Sequence, residues 1–334
     1  MKILYVDLRY DYGIKSRGRN HIGQDGFKHS MEQLGHAVTP FYYDEYLKNT
    51  AQLQIDLLAF TDNVKPDMVF FCLFKDQFDH ETLKCLKSKY ITVNWFGDDQ
   101  WRFDEFTKNY ANDFTWCITT DLYSLSKYNE IGQSNVVLSQ WAAIDALREK
   151  INLDSKSNTD YDYDVSFVGG YHPYRAWFIN QLKKSGIDVE VFGNGWPNGS
   201  LSAEEMSSVF ARSKINLNIS NSSSLDVRYL FSSHKSIISA IRSKKNNSQV
   251  KARNFEIPFF GGFELTDYVP SLEGYFEIGK EIACYASPED ATRQIKFYLN
   301  NDELRQMICN AGHKRAISEH GYLHRLEKVL EQIK

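Results

Sequence analysis

Short apolar runs alternate with helix-length polar segments over most of this chain, and that alternation admits few folds. A strand covered on both faces reads as a brief apolar run. An amphipathic helix between two such runs makes them parallel neighbours in one sheet. In the first half, Lys2–Asp7, Met68–Leu73, Ile91–Phe96, Thr115–Thr119 and Asn135–Leu138 have strand character. Between them Gly26–Leu34, Thr50–Asp62, His80–Ser88 and Leu122–Ile131 carry helical spacing, and Gly35 and Gly132 stand where C-terminal caps belong. Across residues 151–164 the pattern lapses into polar and acidic residues, then restarts with Val165-Ser-Phe-Val168, so a domain boundary is expected there. A strand to Val168, a helix Pro173–Ser185, a strand Val189–Phe192, a helix Ala203–Ser213 and a strand Ile215–Ile219 follow. From Ser287 onward the spacing is helical, opening on a Ser287-Pro288 cap. The expected fold class is α/β, with two domains of similar size.

Composition supports two domains and narrows the partners. The chain has 334 residues, 42% of them apolar and 14% aromatic, enough for two cores. A net charge of -4 offers no global basic face, which disfavours nucleic acid as the main partner, so any anion site must be local. The five cysteines at 72, 85, 117, 284 and 309 form no C-x-x-C pair and read as reduced packing residues. Met1 leads straight into a strand, and no uncharged apolar run approaches the ~18 residues of a membrane span. A cytoplasmic location is expected, with contact at a membrane surface left open. No histidine or carboxylate spacing matches a metal site, and no metal is expected.

In open α/β sheets, ligands bind beyond the carboxyl ends of the strands. Gly169 and Gly170 follow Val168 and would let a phosphate approach the backbone, with Arg175 opening the next helix as a cation. Gly193-Asn194-Gly195-Trp196 follows the next strand and ends in an aromatic able to face a base or a sugar. Asn216 and Asn218 lie at the same sheet edge. A helix starting near Ser248 would aim its amides, Lys251 and Arg253 at a diphosphate, with Glu256 one turn on to accept two ribose hydroxyls. In the first half, Asp98 and Asp99 follow Phe96. On extended backbone only one of them faces a cleft, where it would act as a general base or orient an acceptor hydroxyl. The long loop Arg9 to Asp25 adds His21 as a further candidate but contains no G-x-G-x-x-G, so dinucleotide binding has no support there. Each of these features also has a purely structural reading, as a turn, a cap or a core lid.

Together, Tyr163-Asp-Val-Ser-Phe-Val-Gly169, Gly193-Asn-Gly-Trp196, Ile215-Asn-Leu-Asn-Ile-Ser220, Lys251-Ala-Arg-Asn-Phe-Glu-Ile-Pro258, Gly261-Gly-Phe-Glu-Leu-Thr-Asp267 and Glu319-His-Gly-Tyr-Leu-His-Arg325 resemble the CgeB-like, spore-maturation branch of the group 1 glycosyltransferases. The first half is matched only by its general pattern and by Trp95-Phe-Gly-Asp-Asp99. The resemblance implies a GT-B fold, with two Rossmann-like domains whose parallel sheets face an interdomain cleft and C-terminal helices crossing back to the N-terminal domain. It places an acceptor-side domain over 1–155, a nucleotide-sugar-binding domain over 160–318 and the returning helix over 319–334. It implies transfer of a sugar from a nucleotide-diphosphate donor to a glycan or other hydroxyl acceptor, as in polysaccharide biosynthesis, with no cofactor beyond the nucleotide-sugar. Glu256 would take the ribose hydroxyls, while Arg175 with Lys251 or Arg253 would neutralise the departing diphosphate. A nucleotide-sugar epimerase and a non-catalytic nucleotide-sugar-binding module are the alternatives.

Two departures stand out. Glu256 and Glu264 reproduce the spacing of the E-x7-E motif, but Gly261-Gly262 breaks the helix that motif occupies. Aligned on Phe-Glu-Ile-Pro, Glu256 matches the second glutamate and Ser248 stands in place of the first, which leaves the stereochemical outcome open. The segment 222–247, with Tyr229, His234 and Arg242-Ser-Lys-Lys245, is longer than the family pattern, and either shapes the pocket or forms a surface excursion.

Overall fold

The computed structural model describes residues 1–150, 161–222, 224–242 and 248–333. The chain folds as two compact units, Met1–Asp145 with Tyr322–Lys334, and Ala146–Gly321. The expected boundary at 155–160 lies outside the described residues.

The first unit holds a six-stranded sheet: β1 (Lys2–Asp7), β2 (Ala37–Tyr42), β3 (Met68–Phe71), β4 (Ile91–Phe96), β5 (Trp116–Thr119) and β6 (Val136–Leu138). All pairings are parallel and the order is β2-β1-β3-β4-β5-β6. Five of the six β1 residues and all of β3 are buried, because helices cover both faces of the sheet centre. β2 escapes sequence reading because Pro40 interrupts it and only Phe41 is buried. Proline cannot donate to a ladder, and β2 accommodates it as an edge strand, with Pro40 beside Tyr5. The chain reverses its direction of travel between β1 and β3, which makes the ends of those strands the unit's switch point.

The last helix, Tyr322–Gln332, belongs to this unit. Its first turn is tied down by Tyr322 N–H donating to the Ala143 carbonyl at 3.0 Å and Leu323 N–H donating to Asp145 Oδ2 at 3.0 Å. The Tyr322 ring lies 5.1 Å from that of Phe27 and so close to Gly26 that a Cβ there would sit 2.9 Å from its edge. Gly26 is required by that approach rather than by its own dihedral angles.

The second unit holds β7 (Tyr163–Val168), β8 (Glu190–Phe192), β9 (Ser213–Asn218), β10 (Glu264–Asp267) and β11 (Ala283–Tyr285), all parallel, in the order β11-β10-β9-β7-β8. Its switch point falls between β7 and β9. The core packs Phe167, Phe178, Leu182, Ile215, Leu217 and Leu265 between this sheet and its helices. The Pro288–Leu299 helix starts as expected, with the Ser287 hydroxyl accepting from Asp290 N–H at 3.1 Å.

The helix expected near Ser248 begins instead at Arg253 and runs to Phe259. It stops where the Gly-Gly pair predicts, with Gly261 at φ +76°, and Glu264 lies on β10 rather than on a helix.

Candidate functional site

Arg175 occupies the switch point of the second unit. It sits in the first turn of the Pro173–Lys184 helix, which the proline at its first position starts directly after the β7 loop. Its Nη1 donates to the Gly170 carbonyl at 3.0 Å, its Nε to the Ile219 carbonyl at 3.1 Å and its Nη2 to the Ser220 carbonyl at 3.3 Å. One guanidinium therefore ties the loop after β7 to the loop after β9. A guanidinium carries five N–H donors, and three carbonyl bonds leave capacity for an anion. Burial lowers its pKa to about 10, partly opposed by Asp267, while Arg253 lies near enough to lower it further by like-charge repulsion. The group is a cation at neutral pH.

The glycines beside it divide into two roles. Gly170 faces open space, so its backbone is approachable, as the sequence suggested. Gly193 is a packing residue: at φ +133° a Cβ would lie 2.3 Å from the Gly169 carbonyl oxygen. The Gly193–Trp196 turn clamps the first loop, through Gly169 N–H to the Phe192 carbonyl (2.9 Å), Tyr171 N–H to the Asn194 carbonyl (2.8 Å) and the Trp196 indole N–H to the Gly169 carbonyl (2.8 Å). Gly195 at φ +88° lets the turn close against Tyr171. Trp196 thus acts as the lid of the Gly169 loop, its ring against Phe167 and Tyr171.

Arg253 and Glu256 form an ion pair one turn apart on their helix, Nη1 to Oε2 at 2.5 Å. Arg253 also lies over the Phe210 ring, 5.1 Å from its centroid. Glu256 is almost wholly buried, and desolvation raises its pKa against the lowering effect of Arg253. The expectation of open amides at this helix start needs correction. The amides of Asn254, Phe255 and Glu256 bond back to the Lys251 and Ala252 carbonyls, and Lys251 N–H donates to Asn254 Oδ1 at 3.0 Å. Lys251 lies before the helix rather than in it.

Asn218 is also redirected. Its Nδ2 donates to Glu264 Oε1 on the neighbouring strand at 3.0 Å, and Asn254 Nδ2 donates to the same oxygen at 2.9 Å. Burial pushes the Glu264 pKa well above its ordinary value, against the lowering effect of the hydrogen bonds from Asn218 and Asn254. Asn254 Nδ2 continues to Thr266 Oγ1 at 3.0 Å, and Asp267 Oδ1 accepts from Ser220 N–H at 2.9 Å. A buried polar network thereby joins the Arg253–Phe259 helix to the loop that Arg175 holds. Asp267 was not singled out from the sequence, although its place at a strand end after Gly261-Gly262 was the available signal.

In the first unit the two adjacent carboxylates do separate, but not by strand alternation: β4 ends at Phe96, Asp98 stands at the N-cap of the short helix Asp99–Arg102 and Asp99 is its first residue. Asp99 turns inward and is 1% exposed. It accepts from Thr107 Oγ1 (2.6 Å), Thr119 Oγ1 (2.6 Å) and Tyr128 OH (2.8 Å). Burial raises its pKa to about 6 against those three bonds. This placement corrects Asp99 as a catalytic candidate, because three protein hydroxyls enclose it. Asp98 stays half-buried and electrostatically coupled to Tyr12 and Arg102. His21 Nδ1 pairs with Asp25 at 2.8 Å, and Arg19 donates to the same carboxylate at 2.6 Å.

The switch point of this unit belongs to Asp7, which sequence reading passed over as the last residue of β1. Its carboxylate accepts from Tyr5 OH (2.6 Å), Leu8 N–H (2.7 Å) and Asn20 Nδ2 (3.1 Å), and burial raises its pKa to about 7. Gly23 is needed opposite, since a Cβ there would lie 2.1 Å from Asp7 Oδ2. Among the described residues no three of His, Cys, Asp or Glu group to hold a metal ion, and no helix is long and apolar enough to cross a membrane.

Comparison with known proteins places these features in context. Residues 175–331 match the family described as "Glycosyl transferase-like". No curated protein sequence matches the chain. The fold is similar to that of sucrose-phosphate synthase from Thermosynechococcus elongatus, with TM-score 0.64, 8% identity and 99% of each chain covered. It is similar also to Anabaena HepE in complex with UDP-glucose, with TM-score 0.60, 11% identity, and 99% of this chain and 98% of that one covered. A third likeness is to a Listeria monocytogenes protein assigned as a UDP-N-acetylglucosamine 2-epimerase, with TM-score 0.56, 12% identity and coverage of 100% and 96%. Two parallel Rossmann-like sheets in this order make the fold that of the GT-B glycosyltransferases, and residues 175–331 carry the pattern of a glycosyltransferase-like family.

Proposed function

We propose that the chain is a glycosyltransferase that moves a sugar from a nucleotide-diphosphate donor to a hydroxyl acceptor. The observation that carries this reading is Arg175 at the switch point, a half-buried cation beside the open Gly170 backbone and near the Arg253–Glu256 pair. A departing diphosphate gains negative charge, and fixed cations stabilise it. In this reading Arg175 and Arg253 do so without a metal ion, Lys251 assists from the segment before the helix, and Glu256 accepts the ribose hydroxyls. UDP is the first nucleotide to test, because Anabaena HepE is described in complex with UDP-glucose. Asp98 and His21 are the acid/base candidates of the first unit. The finer assignment is to the CgeB-like branch, with a cytoplasmic role in polysaccharide biosynthesis.

Calorimetric titration with UDP, GDP, CDP and dTDP tests the donor side. Saturable binding of one of them, unchanged by a chelator, supports the reading, and no binding of any would remove it. The likeness to a protein assigned as an epimerase favours a second reading. Incubation with the donor sugar alone separates the two, since an epimerase returns an isomerised sugar and a transferase does not.

A further inference from the structure

Between β9 and β10 the second unit turns an apolar face outward. The helix His234–Arg242 is built inside out. Ser236 is buried and Ser239 and Ala240 are half-buried, while Ile237, Ile238 and Ile241 are exposed. Those isoleucines stand at i, i+1 and i+4 and so share one helical face. The short helix Val227–Leu230 packs beside it, anchored by the wholly buried Tyr229. Around that anchor Leu225, Val227 and Phe231 are 82%, 63% and 84% exposed, and Ile241 is 79% exposed. Single exposed apolar residues are ordinary. A set of them on two adjoining helices marks an interaction surface.

The charge of the same segment selects the partner. From Leu225 to Lys251 the sequence carries Lys235, Arg242, Lys244, Lys245 and Lys251, besides Arg228, which is paired with Asp226 and Glu289, in a chain whose net charge is -4. Apolar side chains projecting from a locally cationic, otherwise acidic protein suit a surface that is anionic outside and apolar beneath. We propose that this face docks onto an anionic lipid bilayer, with Phe231, Ile238 and Ile241 entering the boundary between headgroups and acyl chains and Lys235 facing the lipid phosphates. Phe231 supplies the aromatic at headgroup depth, and the small residues behind the isoleucines keep the helix seated on its own unit. The proposal is independent of which nucleotide the protein binds.

Co-sedimentation of the full chain tests it, with vesicles of equal parts phosphatidylcholine and phosphatidylglycerol against vesicles of phosphatidylcholine alone. The protein is expected to pellet with the anionic vesicles and to stay largely in solution with the neutral ones. The double variant Phe231→Ser, Ile241→Ser should lose roughly tenfold or more in partitioning, and Lys235→Gln about fivefold. All three side chains are exposed, so an unchanged circular dichroism melt will certify the fold of both variants. Three results overturn the proposal: no pelleting with anionic vesicles, equal pelleting of the folded double variant, or light scattering that finds a dimer which this variant converts to a monomer. The last would assign the face to a second copy of the chain.

Discussion

The Nε of Arg175 donates to the carbonyl oxygen of Ile219 at 3.1 Å, across 44 residues of sequence. With the bonds to Gly170 and Ser220, it makes one side chain both the mechanical tie between two strand-end loops and the cation at their junction.

Arg175→Lys should separate these two roles. Lysine keeps the charge but has no planar fork to span three carbonyls while also meeting a diphosphate. Affinity for the preferred nucleoside diphosphate is expected to fall roughly tenfold to a hundredfold. Calorimetry checks it, and an unaltered dissociation constant would move the diphosphate away from Arg175.

Glu256→Ala should weaken nucleotide binding by roughly tenfold through loss of the ribose contact. The sharper measurement compares a nucleoside diphosphate with its 2′,3′-dideoxy form. The native protein should discriminate between them and the variant should not. Equal discrimination by both proteins would reduce Glu256 to the partner of Arg253.

Asp99→Ala should destabilise the first unit without touching nucleotide affinity. Removing the carboxylate leaves the hydroxyls of Thr107, Thr119 and Tyr128 without their shared buried acceptor, at a cost of about 3 kcal/mol. Denaturant unfolding measures the first effect and UDP titration the second. A stable variant with altered turnover would return Asp99 to the chemistry.

Asp7 gives the pH prediction. Its folded pKa, about 7, stands above the ordinary 3.8, so between those values the folded chain holds a proton that the unfolded chain releases. The contribution of Asp7 to stability is therefore greatest below about pH 4, declines as the pH rises and levels off above about pH 7, by up to about 4 kcal/mol. Asp7→Asn removes that dependence. The stability of the native protein relative to this variant should fall across that window in paired thermal melts at stepped pH, and a constant difference would contradict the assignment.

Much of the fold was legible. The strands of the first unit declare themselves where both faces are buried, as in β1, β3 and β4. β2 did not, because an edge strand with Pro40 and a single buried residue loses the apolar run on which the reading depends. The site was legible by place rather than by role. Gly169, Gly170, Arg175, Gly193, Asn194, Gly195 and Trp196 do gather beyond β7 and β8, as strand-end reasoning predicts. Which of them turns outward depends on neighbours remote in sequence: Trp196 folds onto Gly169, and Asn218 onto Glu264.

By itself the sequence determined that this protein builds two parallel sheets wrapped in helices, since burial periodicity is a local property readable a few residues at a time. It also determined that the helix after Arg253 stops short of Glu264, because Gly261-Gly262 ends it locally. Only the tertiary structure decided the strand order, and with it the two switch points at which Asp7 and Arg175 stand. It likewise decided that Asp99 faces three hydroxyls and that the isoleucines of His234–Arg242 face outward. Those outcomes rest on contacts between segments tens of residues apart, where desolvation and crossover geometry outweigh any preference the local sequence carries.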